Sequence, residues 1–273
     1  MYVERPLVLP PLTAGEAAPG LRIRKTLPEY SGTDVYHTLY LPPGWKPGGS
    51  YPVIAEYTGN YWPPAKSSGE VQDAAMGYGL SRGERFIVIS LPYIAPDHTR
   101  NELTWWGDTG ATTDYCKRAV PLICKTYGGD MERVCLCGFS RGAIAVNFIG
   151  LRDDEIAAYW RCFITNEHFD GIRDWEAPWG APLGTYRQEA RERLKRVQGR
   201  PYLVLQNDCP ETPDMLDTIR SFVKEEDSGN FTFREVHVRD LPVPHSHTDQ
   251  WLLFDTEEAR ETREWLKARM ASV

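Results

Sequence analysis

Apolar positions along this chain recur at two spacings, and the change from one to the other marks out its elements. Leu21 to Thr26 and Val35 to Leu41 read as strands, parted by the turn-rich Glu29-Tyr-Ser-Gly-Thr-Asp34. The second runs into Leu41-Pro-Pro-Gly-Trp-Lys-Pro-Gly-Gly49, whose prolines and glycines mark a loop. Pro52 to Tyr57 predicts a third strand and Val71 to Leu80 a helix. Phe86 to Leu91 is a continuous apolar run, the pattern of a parallel strand covered on both faces. Thr112 to Tyr127 carries apolar residues at helical spacing (Tyr115, Ala119, Leu122, Ile123) and stops at Gly128-Gly129.

Val134 to Cys137 is the next strand, followed by a helical stretch, and Tyr159 to Ile164 the strand after that. Residues 165 to 198 are irregular, then helical, and form a small lid-like insertion. Tyr202 to Gln206 predicts a buried strand, Met215 to Glu226 a helix, Phe231 to Val238 an alternating last strand and Thr256 to Ala271 the closing helix. Strands that alternate with helices imply a mostly parallel sheet with helices on both faces. An α/β class and one domain spanning residues 1 to 273 are the simplest reading.

The segment Arg133-Val-Cys-Leu-Cys-Gly-Phe-Ser-Arg-Gly142 carries the chemistry. A strand runs directly into Gly138-Phe-Ser140-Arg-Gly142, and Ala143, Ile144, Val146 and Phe148 begin a helix. On such a turn the serine hydroxyl is pushed out at the top of the sheet. Glycines two residues either side avoid collisions with the neighbouring strand and helix. The helix start also presents free N–H groups to a developing negative charge.

In this Gly-x-Ser-x-Gly context the chain resembles the α/β-hydrolase superfamily. Within it the resemblance is to the esterase group that includes feruloyl-esterase-like and polyhydroxyalkanoate-depolymerase-like enzymes. It implies a single-domain α/β-hydrolase fold and a triad in the chain order Ser, Asp or Glu, His. Ser140 is then the nucleophile. Asp208, at the end of Leu203-Val-Leu-Gln-Asn-Asp208, is the chosen acid, with Asp214 and Glu211 in the same loop as alternatives. His247 in Pro244-His-Ser-His-Thr-Asp-Gln-Trp251 is the chosen base, with His245 next. The His-x-His pair lacks a third ligand at metal-binding spacing, so neither metal nor cofactor is expected. The oxyanion hole is assigned to the backbone N–H groups of Arg141 and Asn60, with Tyr61 as the alternative to Asn60. Tyr57-Thr58 departs here from the family's common His-Gly pattern.

Aromatic residues (Tyr57, Tyr61, Trp62, Trp105, Trp106, Trp175, Trp179 and Trp251) crowd the loops expected to border the site, and aromatic walls suit sugar rings or aromatic acyl groups. Tyr61, Trp62, Trp105, Trp106 and Trp251 are candidate substrate contacts. His168 joins them, just past the strand after the nucleophile, with Asp170 beside it. Arg141 is either a contact for a substrate carboxylate or a surface or carboxylate-paired arginine. Ser-Arg at the nucleophile also occurs in glucuronoyl esterases, but Ala143-Ile144 stands where their Gly-Lys pair would follow.

Charge and composition narrow the partners. A net charge of −7 argues against a general nucleic-acid binder, and no apolar stretch is long enough to span a membrane. The basic cluster Arg191, Arg193, Lys195, Arg196 is interleaved with Glu189 and Glu192 and reads as a solvated helix face. Six cysteines form no Cys-x-x-Cys pair, and Cys135 and Cys137 face one way, into the core, as fits a reducing compartment. The N-terminus lacks a signal-peptide pattern, so the expectation is a cytoplasmic protein, or a secreted one whose leader has been removed. The leading function is a serine carboxylesterase acting on a small or carbohydrate-linked ester. A uronate esterase, a peptidase or thioesterase on the same triad, and a non-catalytic hydrolase-fold binding protein are the alternatives. The partner expected is a small-molecule ester, with oligomeric state left open.

Overall fold

The computed structural model describes residues 7–210, 212–224 and 229–271. Eleven strands are formed among them: β1 (Leu12–Thr13), β2 (Arg22–Lys25), β3 (His37–Tyr40), β4 (Tyr51–Tyr57), β5 (Tyr61–Trp62), β6 (Ser67–Ser68), β7 (Ile87–Leu91), β8 (Gly129–Phe139), β9 (Cys162–Asn166), β10 (Tyr202–Asn207) and β11 (Phe231–Val236). The α-helices are α1 (Met76–Ser81), α2 (Thr109–Tyr127), α3 (Arg141–Phe148), α4 (Asp154–Ala157), α5 (Leu183–Leu194), α6 (Met215–Lys224) and α7 (Glu257–Arg269). Nine strands form one sheet in the order β1-β2-β3-β7-β4-β8-β9-β10-β11, and β5 and β6 make a separate small hairpin. The first two strands of the sequence reading, β2 and β3, pair antiparallel with Ile23 opposite Leu39, and β3 is also antiparallel to β7. From β7 to β11 every pairing is parallel.

Strand alternation divides the interior between the two faces. Val53 and Ala55 of β4 and Leu136 of β8 pack with α2 (Ala119, Ile123) and α3 (Ile144, Val146). Ile54, Cys135, Cys137 and Ile164 point the other way, onto Met76 and Leu80 of α1 and Ala259 and Leu266 of α7. All six cysteines are buried and unbridged. None of the described helices is long and apolar enough to cross a membrane.

Two elements differ from the sequence reading in ways that bear on the site, and one end cannot be compared. The helix expected over Val71 to Leu80 is a 3-10 turn (Val71–Asp73) followed by α1. The last residues of the helix expected over 215–226 lie outside the described residues. The strand expected over Tyr159 to Ile164 is Cys162–Asn166. Tyr159 instead closes the turn after α4 with its N–H on the Ile156 carbonyl (3.2 Å), while the Trp160 indole donates to the Gly150 carbonyl (2.7 Å). This shift carries β9 as far as the end of β8. Phe139 and Asn166 are cross-strand partners, so Ser140 and Glu167 emerge side by side at the carboxyl edge of the sheet.

Candidate active site

Ser140 stands between β8 and α3 with φ 55° and ψ −119°, a conformation that a residue bearing a Cβ adopts only under constraint. Its backbone N–H is tied to the Asn166 carbonyl (2.9 Å). The flanking glycines allow the turn to close. A Cβ on Gly142 would run into the Tyr57 carbonyl, and one on Gly138 into the carbonyl of Gly142. This is the strand–turn–helix geometry of a nucleophile elbow.

The Ser140 hydroxyl donates to His247 Nε2 (2.8 Å), and His247 Nδ1–H donates to Oε2 of Glu167 (2.7 Å). The carboxylate on the histidine is therefore Glu167 and not Asp208. Asp208 faces the β11 side, where Oδ1 accepts from the Val238 N–H (3.0 Å) and Oδ2 lies 3.2 Å from Arg239 Nε. Asp214 is exposed at the start of α6, and Glu211 lies outside the described residues. Glu167 is fully buried and, like Ser140, has a positive φ (75°). Its Oε1 accepts from the Asn207 N–H (2.8 Å) and the Gln206 side-chain amide (3.1 Å), which leaves Oε2 to orient the imidazole.

Asn207 also sets the histidine loop. Its Nδ2 donates to the carbonyls of Ser246 and Thr248, each at 2.7 Å, gripping the chain on both sides of His247. Asn166 donates to Asn207 Oδ1 (3.0 Å) and accepts from the Trp251 indole (3.1 Å). Trp251 is thus not a substrate wall. It is completely buried and braces this network from below, because the 3-10 turn Gln250–Leu253 rotates it inward. His245 supports the same loop, its Nδ1 accepting from the His247 N–H (2.9 Å).

A cavity of about 350 Å³ opens over Ser140 and His247. Tyr61, Trp62, Trp105, Trp175 and His168 line it. Tyr61 and Trp62 are 54% and 38% exposed, apolar surface of the kind that meets a ligand. Trp106 is not on the wall. It lies under it, stacked on Phe148 at 4.9 Å, because Gly107 closes the loop behind it through a positive φ (58°). His168 meets Trp175 edge-on (4.9 Å) and lies 5.1 Å from His247. Burial first, then the neighbouring His247 and Arg173, which disfavour a charge on it, drive its pKa well below the ordinary imidazole value, so it stays neutral. Asp170 turns away from the cavity and pairs with Arg193 (2.8 and 3.1 Å).

Arg141 overturns the reading of a surface or carboxylate-paired residue. Its backbone opens α3, so its N–H has no intrahelical partner and is available at the serine. Its side chain is completely buried and turned away from the cavity. The guanidinium donates to the carbonyls of Trp105 (2.6 Å), Gly59 (2.9 Å), Glu102 (3.3 Å) and Gly69 (3.4 Å), and sits 3.9 Å over the Tyr93 ring. Burial pushes its pKa down to about 10, so it remains protonated near neutrality. It binds together three loops that border the site and has no free edge for a substrate carboxylate. Asn60 belongs to one of these loops, its side-chain oxygen accepting from the Trp105 N–H (2.7 Å) and its carbonyl from Ser67 (2.6 Å). Its residue lines the cavity beside Ser140, and Gly59 comes so close that a Cβ there would lie 3.3 Å from the serine Cβ.

No protein-family model and no curated protein matches the sequence. Solved structures do match the fold. A thermostable esterase superposes with a TM-score of 0.57 at 16% identity over 91% of this chain, which spans 62% of that protein's length. An S-formylglutathione hydrolase from Agrobacterium tumefaciens gives 0.56 at 16% identity, covering 99% of this chain and 100% of the other. A feruloyl esterase module from Clostridium thermocellum, complexed with sinapinate, gives 0.51 at 13% identity over 87% and 88% of the two chains. The chain has the α/β-hydrolase fold. In this hydrolase fold the elbow serine sits on the central strand β8. The carboxylate that meets its histidine stands directly after the adjacent strand β9, one strand nearer than Asp208 after β10.

Proposed function

We propose that this protein is a serine carboxylesterase that works through an acyl-enzyme on Ser140. The observation that carries this is the unbroken hydrogen-bonded chain from Ser140 through His247 to the buried Glu167, beneath an apolar cavity. His247 takes the hydroxyl proton as the serine oxygen attacks the ester carbonyl. The N–H groups of Arg141 and Asn60 hold the oxyanion, and Glu167 steadies the imidazolium. His247 then protonates the departing alcohol. Water repeats the sequence on the acyl-enzyme and releases the acid.

The cavity volume and its aromatic wall favour a small ester with an aromatic or sugar ring. The esterase names among the fold neighbours support the same class. Treatment with a fluorophosphonate should modify the protein stoichiometrically, with the adduct mapped by mass spectrometry to the peptide holding Ser140. A panel of 4-nitrophenyl, feruloyl and acetyl-sugar esters should then show turnover. A folded protein that takes up no label and turns over no ester in the panel would sink the catalytic reading and leave a binding protein on the hydrolase fold.

A further inference from the structure

The cavity over Ser140 has a charge bias opposite to that of the whole protein. The chain carries 38 acidic against 31 basic residues. Yet among the described residues no Asp or Glu lines the cavity, while Arg173 does. The other ionisable cations there are imidazoles, and His168 is held neutral. Arg173 is therefore the permanent cation of this wall.

Its position is defined by the aromatic groups around it. The guanidinium carbon lies 5.0 Å from the centre of the Trp175 ring, and Trp175 in turn packs on His168, beside His247. Stacking on an indole fixes the plane of the guanidinium and leaves its edge able to donate. The acidic residues on the same segment do not neutralise it. Asp174 and Glu176 are exposed and outside the cavity lining, and Asp174 accepts from the Glu176 N–H (2.8 Å). Among the described residues no carboxylate pairs with Arg173.

We propose that the ester taken by this site carries a carboxylate, and that Arg173 is the residue that recognises it. A carboxylate matches the two parallel N–H groups of a guanidinium edge. One cation balances one negative charge. A phosphate would bring a second charge into a mainly apolar cavity with no counterion for it. An ester bearing an amine would meet Arg173 as a like charge. The proposal rests on the reading of Ser140 as the attacking group, and it specifies that site's substrate class.

The test compares 4-acetoxybenzoate with phenyl acetate, which differ by one carboxylate on the leaving group, and 4-nitrophenyl hemiglutarate with 4-nitrophenyl valerate, where the carboxylate is on the acyl side. In at least one pair kcat/KM should favour the anionic ester roughly tenfold or more, and Arg173→Gln should bring that ratio close to one. Arg173→Lys should recover part of it. Because both esters are measured on the same sample, the ratio is independent of how much of a variant is folded. Raising the salt from 50 to 500 mM should shrink the ratio, since Arg173 is exposed to solvent. Binding of the same esters to Ser140→Ala, read by tryptophan fluorescence, should show the same preference and the same loss with Arg173→Gln. A wild-type protein that labels at Ser140 but discriminates in neither pair overturns this proposal alone. Absent labelling and turnover overturn the esterase reading, while the Ser140→Ala binding preference still decides the role of Arg173.

Discussion

Glu167→Gln will lower kcat on a neutral ester such as 4-nitrophenyl acetate by roughly 10³–10⁴-fold, with KM little changed. The substitution keeps the size of the side chain and its ability to accept from the Asn207 N–H. It removes the negative charge 2.7 Å from His247 Nδ1. The imidazolium formed when Ser140 loses its proton is then uncompensated in a site where Glu167 is fully buried. An amide group also presents a donor that favours the wrong histidine tautomer. Asp208→Asn should leave kcat within a few fold of wild type, since its carboxylate serves Val238 and Arg239. The pair of variants is decisive. If Asp208→Asn collapses kcat while Glu167→Gln remains active, the assignment of the acid is wrong.

Arg141→Met should both unfold the protein at lower urea and abolish most activity. Removing the guanidinium leaves carbonyls of Gly59, Gly69, Glu102 and Trp105 without this donor. An unpaired buried polar group costs about 1–3 kcal/mol, and relief of the desolvated charge offsets part of that, so a loss of about 3–5 kcal/mol is expected. Domains of ordinary stability have only about 5–15 kcal/mol in total, so the shift in urea midpoint will be large. Arg141→Lys separates the two effects. It keeps the charge over Tyr93 but replaces a planar fork with a single ammonium that reaches fewer carbonyls. The Gly59–Asn60 turn then loosens, and kcat should fall by roughly 10²-fold or more, the scale of a lost oxyanion donor. A wild-type urea midpoint and a wild-type kcat in Arg141→Met would show that the buried guanidinium holds nothing together.

What the sequence revealed and what it hid follow from how local each feature is. The elbow was legible because its strand, glycines and helix lie within Arg133 to Phe148. The mostly parallel sheet with helices on both faces followed from the alternation of strands with helices. His247 was found because it sits in the turn between the last strand and the last helix. Glu167 was missed because its role depends on lateral register. It matters only because Asn166 pairs with Phe139, a relation between residues 27 positions apart that no local pattern records. Ending β9 at Ile164 placed Glu167 in a loop, whereas the strand in fact continues through the polar but buried Thr165 and Asn166 to the sheet edge. A buried acid directly after a strand, beside Asn166 and His168, was the available signal.

The aromatic residues divide in the same way. Trp62 and Trp105 were placed on the wall from their loops, and they line the cavity. Trp251 and Trp106 looked equally suitable, but a 3-10 turn and a glycine-closed loop rotate them into the interior. Arg141 beside the nucleophile invited a substrate contact. Nothing in the sequence shows that three loops leave carbonyls converging behind it.

Placing the carboxylate directly after β9 has a consequence for how such a protein can diversify. The segment after β10 brings Cys209 and Thr212 to the cavity wall, yet in the proposed mechanism it holds no member of the proton relay. Asp208 pins the base of that segment to Val238 and Arg239. Part of the cavity wall is thereby borne by a stretch of chain apart from the Ser140–His247–Glu167 array. Substitutions at Cys209 and Thr212 would reshape the cavity for other esters without replacing a member of the Ser140–His247–Glu167 array.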